Sequence, residues 1–498
     1  MTRRLPRLTP EKRRLLSNLI GRREAGPGSR RHGIPTADRS GELPLSFGQE
    51  RLWFLDQLAP GNPFYNDCEA FRLRGRLDAD ALERALGRIV ARHEILRTSF
   101  PTRDGRPHQE IAPRLPVSLT RIDLADRSEE ERLRGASELA GASLDRPFDL
   151  ERAPLLRFHL VRYGREDHLL LFTLHHIIFD GWSLGVFVRE LAAFYEAETG
   201  GPPPDLPELA IQYADFAAWQ RERLRGERLE RELTYWRERL APPLPRLELP
   251  ADHERPATPT YRGGLFPVDL GAELSEAVRA FGRRESVTPF VILLTAYKAL
   301  LAAVTEETDL IVGTPIANRN HSETEPLLGF FLNTLALRTD LSGDPTFREM
   351  LERVAETNTG ASENQELPFE KLVAELNPDR RLNYNPLFQV WFTLLGAPMP
   401  RLDFQGLSLE FADIETRTAR FDLALILWQD DGRLRGHFEY GRDLFRAARI
   451  ERLARHYRVI VDRAIQRPEA RLSEIAELLA RRDRASAARA RAARRRAG

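Results

Sequence analysis

Apolar and polar positions recur with two different periods along this chain. Residues 79–96 place Leu82, Leu86, Ile89 and Val90 at the spacing of one helix face. Residues 154–162 and 167–174 are short, apolar and strand-like. Residues 184–197 return to the helical period, with Leu184, Val188, Leu191 and Phe194 on one side. The second half repeats the alternation: helices near 271–303, 346–357, 368–376 and 446–465, and strands near 309–314, 330–338, 386–395 and 422–428. Strands mixed with helices in two halves predict an α/β or α+β protein of two lobes.

Breaks in the pattern mark the boundaries. Residues 10–22 carry Leu15, Leu16, Leu19 and Ile20 on one face and predict a short helix, and residues 23–42, rich in Gly, Arg, Pro and Ser, read as a linker. The run GGPPPDLPEL at 200–209 precedes a polar, amphipathic helical stretch that ends near Leu240, and APPLPRLELPADHERPATPTY at 241–261 is a second break. From about Arg481 to Gly498 the chain is nearly all Arg, Ala, Ser and Asp, a solvated helix or a disordered end.

Composition narrows the function classes. Of 498 residues, 42% are hydrophobic and 30% charged, and the formal net charge of +1 gives no reason to expect nucleic acid as a partner. Lys12, Lys298 and Lys371 are the only lysines among 75 basic residues, a bias that we read as codon usage. Cys68 is the only cysteine, which excludes an intrachain disulfide and cysteine-rich zinc sites. The start, MTRRLPRLTPEKRRLL, lacks the apolar segment of a signal peptide, and no run of about eighteen apolar residues suggests a membrane span. The expectation is a cytoplasmic enzyme or binding protein with no membrane partner.

The densest polar cluster is His175-His176-Ile177-Ile178-Phe179-Asp180-Gly181-Trp182-Ser183, between an apolar strand and a helix. Adjacent residues of an extended segment point opposite ways, so one imidazole should face a cavity and the other should be structural. An imidazole accepts a proton near neutral pH, and Asp180 could orient it or pair with an arginine. A pair of satisfied structural histidines at a strand end remains the alternative. Gly181-Trp182-Ser183-Leu184-Gly185 also matches the G-x-S-x-G nucleophile elbow. The polar residues that precede it are unlike the apolar strand that feeds an elbow. There is no HExxH, no Walker loop and no G-x-G-x-x-G segment, so neither a metal nor a nucleotide is expected.

HHIIFDGWS resembles the HHxxxDG signature of condensation domains of nonribosomal peptide synthetases, within the chloramphenicol-acetyltransferase-like fold. SFGQERLWFL (46–55), RHEILRTSF (92–100), YADFAAW (213–219), IVGTPIANR (311–319), LGFFLNT (328–334), LPFE (367–370) and NPLFQV (385–390) resemble the other motifs of that family, in family order. The resemblance implies two acetyltransferase-like lobes in a V, residues 43–225 and 226–480, with residues 1–42 as N-terminal helix and linker and 481–498 as a tail. The active site would lie in a tunnel between the lobes. Donor and acceptor peptidyl carrier proteins would deliver thioesters on phosphopantetheine arms, with no cofactor bound by the domain itself and neighbouring synthetase domains as further partners. The product would be an amide (peptide) bond in secondary-metabolite and antibiotic biosynthesis.

The resemblance also assigns roles. His176 would face the tunnel and orient the amine, take its proton or stabilise charge in the tetrahedral intermediate, and His175 would be mainly structural. Asp180 would form a buried ion pair, with Arg319 as partner. Gly181 would keep the acceptor passage open, and Trp182 and Ser183 would support the loop. Asn333, in the long motif of the second half, is a further structural or tunnel candidate. The SFGQERLWFL form resembles domains that take L-configured donors. A starter-acylating domain, an ester-forming or epimerising member of the same fold, and a catalytically silent recruitment domain are the alternatives.

Overall fold

The computed structural model describes residues 33–376, 383–396, 402–404, 406–412 and 418–497. The helix expected at 10–22 lies outside the described residues. The architecture is mixed α/β and is built on two six-stranded sheets. In the first, Asn66–Arg74 and Asp167–His175 pair antiparallel at the centre, with Asn66 opposite His175 and Asp67 opposite Leu174. Leu156–Gly164 continues the sheet antiparallel, and Leu119–Asp123 closes that edge in parallel. In the second, the order is Asn333–Asp340, Asp309–Ile316, Val390–Leu395, Leu423–Asp430, Arg433–Gly441 and Gly263–Asp269.

The expected strands and helices of both halves are present, with shifted ends. The helix expected at 79–96 stops at Arg92, because His93 takes an extended backbone, and a short 3-10 turn follows at Glu94–Arg97. Helices Gly271–Glu285 and Pro289–Thr305 are separate; Ser286 caps the first with a left-handed backbone and Pro289 opens the second. The strand expected from 330 begins at Asn333. The Arg/Ala-rich end continues the helix Leu472–Ala497.

Chain order and sheet membership do not coincide. Leu402–Phe404 and Leu407–Phe411 come from the second half of the chain but extend the first sheet, pairing Phe411 with Phe71 and Leu409 with Leu73. Leu327, Leu328, Phe330 and Phe331 likewise pack into the core of the first lobe. That core is filled by the inward residues of the central strands and by the helix Gly181–Glu198, which follows the histidine strand. Phe172 stacks between Phe158 and Phe187, with centroids 4.9 and 4.5 Å away. Burying each of these rings contributes about 1.5–3 kcal/mol, which fixes the strand and the helix on either side of the histidine loop. Among the described residues no single helix is long and apolar enough to cross a membrane.

Candidate active site

The motif forms a tight junction. The strand ends at His175, His176–Ile178 make one 3-10 turn, Phe179 is extended, and Asp180 caps the helix that starts at Gly181. Strand alternation gives the two histidines different fates. His175 points away from the core face of the strand and is buried. Its Nδ1 accepts a hydrogen bond from Ile177 N at 3.1 Å, and burial, with the neighbouring His176, pushes its pKa down to about 3. It is a neutral structural acceptor. His176 shares the parity of Phe172 and Leu174. Its ring lies 4.8 Å from the Phe330 ring, and its Nδ1 is 3.0 Å from Asp67 Oδ2. The ring keeps 13% exposure; Nδ1 is covered and makes no aligned hydrogen bond, and no described residue hydrogen-bonds to Nε2.

Asp180 and Arg319 meet in the interior. Arg319 Nη2 is 3.1 Å from Asp180 Oδ1, with the two side chains 1% and 2% exposed. Asp180 Oδ1 also accepts from Ser183 N at 2.9 Å and Ser183 Oγ at 2.7 Å, and its Oδ2 accepts from Phe331 N at 3.0 Å. Arg319 Nη1 donates to the carbonyls of Thr324 and Leu327. One carboxylate therefore ties the histidine loop to the segment 324–331 from the other half of the chain.

Ser183 belongs to this tie and is no nucleophile. It is fully buried, and its Oγ accepts from Gly329 N at 3.1 Å and Arg319 Nη2 at 3.0 Å while giving its proton to Asp180. Ser183→Ala is accordingly expected to cost about 1–3 kcal/mol, because Gly329 N loses its acceptor, and to leave the parent's indifference to fluorophosphonates unchanged. Intact-mass spectrometry after probe treatment and a thermal melt check both; stoichiometric labelling of Ser183 in the parent would restore the hydrolase reading. Cys68 is also unsuited to attack, since burial pushes its thiol up to about 11.

Some of the remaining motif residues reach this loop or the segment 324–331, and others do not. Ser46 caps the helix Phe47–Leu58, and Gln49 of that helix donates to Ile177 O at 3.3 Å. Tyr213 donates to Phe330 O at 2.5 Å and sits 2.8 Å from Ser46 Oγ. Gly329 has φ +152°, and a Cβ there would lie 2.0 Å from the Tyr213 ring, so only glycine lets the segment pass. His93 joins Glu190 at 2.9 Å. The amide of Asn333 is engaged by the chain 365–369: its Nδ2 donates to Gln365 O and Leu367 O, and its Oδ1 accepts from Phe369 N. It anchors the helix Phe369–Leu376. Trp182 is 47% exposed and donates through Nε1 to Glu325 O at 3.0 Å. A Cβ on Gly181 would meet nothing within 4 Å, so the space beside it is open.

Two residues absent from the motif complete the site. Asp67, on the central strand, receives Arg420 Nη2 on Oδ1 at 2.7 Å, while its Oδ2 faces His176. Burial opposes ionisation of Asp67, but Arg420 and then His176 hold its carboxyl well below the usual range. Asp67 keeps 30% exposure. A readable signal existed. Asp67, Glu69, Phe71 and Leu73 share one strand face, and the buried Phe71 and Leu73 show that this face points inward. Among the described residues no cluster of His, Cys, Asp or Glu has the make-up of a metal site.

Comparison with known proteins gives a consistent result. The family model described as "Condensation domain" matches residues 39–485. Chondramide synthase cmdD of Chondromyces crocatus is 42% identical over 447 residues, 89% of this chain. Phosphinothricin tripeptide synthetase PhsC of Streptomyces viridochromogenes is 42% identical over 452 residues, 90% of this chain. The chain spans 11% of the length of the chondramide synthase and 41% of that of PhsC. Among solved structures, the X-domain in its complex with OxyB from teicoplanin biosynthesis superposes with a TM-score of 0.80 at 31% identity, covering 90% of this chain and 98% of that one. The first condensation domain of the calcium-dependent antibiotic synthetase shares the fold, with a TM-score of 0.73 at 22% identity over 87% of this chain and 99% of that one.

Proposed function

The chain belongs to the condensation-domain family, and on that premise we propose that it forms an amide bond between a donor acyl or peptidyl thioester and the amine of an acceptor aminoacyl thioester, each carried on a carrier protein. One observation carries the reading. Among the histidines, carboxylate and hydroxyl of HHIIFDGWS, His176 alone is not buried, and it keeps an Nε2 that the surrounding described chain does not use. The acceptor amine attacks the thioester carbonyl, His176 Nε2 takes a proton from the nitrogen, the C–S bond breaks, and the proton passes to the departing thiolate. The open space beside Gly181 suits the slender arm of a phosphopantetheine thioester. No bound cofactor enters these steps. An L-configured donor and a cytoplasmic setting complete the proposal.

The test compares three forms of the same acyl and aminoacyl groups: free acids and amines, small thioesters, and carrier-bound thioesters. Carrier-bound forms are expected to give the highest specificity constants, because docking confines the thioester and makes the reaction nearly unimolecular. Product mass spectrometry reads it. Equal specificity constants for small and carrier-bound thioesters would overturn carrier dependence. A second reading, recruitment of a partner enzyme without turnover, draws support from the X-domain relative solved with OxyB. Absence of product from every form would favour it.

A further inference from the structure

Asp67 divides its two carboxylate oxygens between Arg420 and His176, and neither Asp67 nor Arg420 belongs to the histidine motif. We propose that Asp67, held by Arg420, is a positioning residue: it keeps the ring proton of His176 on Nδ1, so that the Nε2 lone pair is the one presented to the acceptor amine. The inference rests on the acyl-transfer reading above.

Two geometric facts carry it. First, Oδ2 of Asp67 stands 3.0 Å from Nδ1, and Nδ1 is covered by protein and has no other polar partner among the described residues. The pair does not meet hydrogen-bond geometry in the free protein, and catalytic hydrogen bonds commonly tighten once substrate is bound. Second, Oδ1 is fixed at 2.7 Å by Arg420, whose backbone N reaches Glu439 Oε1 at 3.4 Å. Arg420 thus reaches from the second sheet to the central strand of the first.

An ionised carboxylate only accepts hydrogen bonds, so it must face an N–H and not a lone pair. A neutral imidazole has one N–H, and fixing it on Nδ1 leaves Nε2 as the base. When Nε2 takes the amine proton, the imidazolium lies against Asp67. When the thiolate leaves, Nε2 returns that proton to sulfur and the ring is again neutral. The other charged or titratable groups around the pair are His175 beside His176, Glu69 on the same strand face as Asp67, and Arg51, Tyr65 and Glu439 around Arg420. The ion-pair contacts of Asp67 itself are with Arg420 and His176 alone among the described residues.

Asp67→Asn tests the assignment, because it keeps the shape but offers an amide N–H to Nδ1, which drives the ring toward the Nε2–H tautomer. Histidine 15N shifts of the full chain are expected to show His176 with its proton on Nδ1 in the parent and on Nε2 in the variant. Single-turnover amide formation should fall about 10²-fold with the KM for loaded carriers unchanged. Since Asp67→Asn strands the Arg420 cation, the double variant Asp67→Asn/Arg420→Met is measured too; it should melt near the parent temperature and stay slow. A parent ring protonated on Nε2, or a parent-like rate in either variant, would overturn the role. A parent that turns over no carrier-bound substrate would instead refute the acyl-transfer reading, while the 15N shifts still decide the tautomer.

Discussion

His176→Ala is expected to slow amide formation between two loaded carriers by about 10² to 10⁴-fold, the range for loss of a positioned proton acceptor, with little change in melting temperature. The separation of the two effects follows from the contacts. His176 makes no hydrogen bond that the scaffold depends on, and truncating it leaves Asp67 still paired with Arg420 at 2.7 Å, so no buried charge is orphaned. The loss to packing is the edge contact with Phe330. His175→Ala should behave in the opposite way, since it leaves Ile177 N without an acceptor and opens a hole at the strand end. Rapid-quench single-turnover kinetics with product mass spectrometry, alongside thermal melts, separates the two. A parent-like rate for His176→Ala would remove that ring from the chemistry.

The contrast shows what was legible in the sequence. The histidine loop is contiguous, its strand and helix have strong local periods, and alternation alone assigns opposite directions to His175 and His176. The partners of that loop are set by pairings distant in sequence. Asp67 lies on a central strand that carries Cys68 and Ala70 toward the helix Glu129–Asp145 and Phe71 and Leu73 toward the main core. With both faces covered, the segment shows no clean polar–apolar alternation and is hard to recognise as a strand. The strands 402–404 and 407–411 are short, and their place in the first sheet depends on pairing with Asn66–Arg74, which no local period encodes. Arg420 follows that crossing, so its meeting with Asp67 was beyond a window-based reading. Ser183 misleads for the reverse reason: G-x-S-x-G is a local pattern, and its hydroxyl is consumed by contacts to Gly329 and Arg319 from the other half.

Asp180→Ala is expected to fail by instability before any question of chemistry arises. The side chain is 2% exposed and satisfies four donors: Ser183 N, Ser183 Oγ, Arg319 Nη2 and Phe331 N. Its removal takes away the cap of the helix Gly181–Glu198, typically about 1 kcal/mol. The larger loss comes from Arg319, 1% exposed, which keeps its bonds to the Thr324 and Leu327 carbonyls but loses its only acidic partner among the described residues. Burial already pushes that guanidinium below its usual range, and Asp180 is what opposes the shift. Breaking a buried pair by deleting one partner costs about 3–5 kcal/mol, whereas replacing both by apolar groups is often close to neutral. The double variant Asp180→Asn/Arg319→Met should therefore recover a substantial part of the stability that Asp180→Ala loses. The recovery would be incomplete, because Thr324 and Leu327 lose their donor. Activity should be lost in Asp180→Ala, since the tie that holds segment 324–331 against the histidine loop is cut and Phe330 no longer walls His176. Chemical denaturation of the three proteins, with soluble yield as a second readout, measures the ordering. If Asp180→Ala melts with the parent and yet makes no product, the carboxylate acts in the reaction itself and the structural assignment fails.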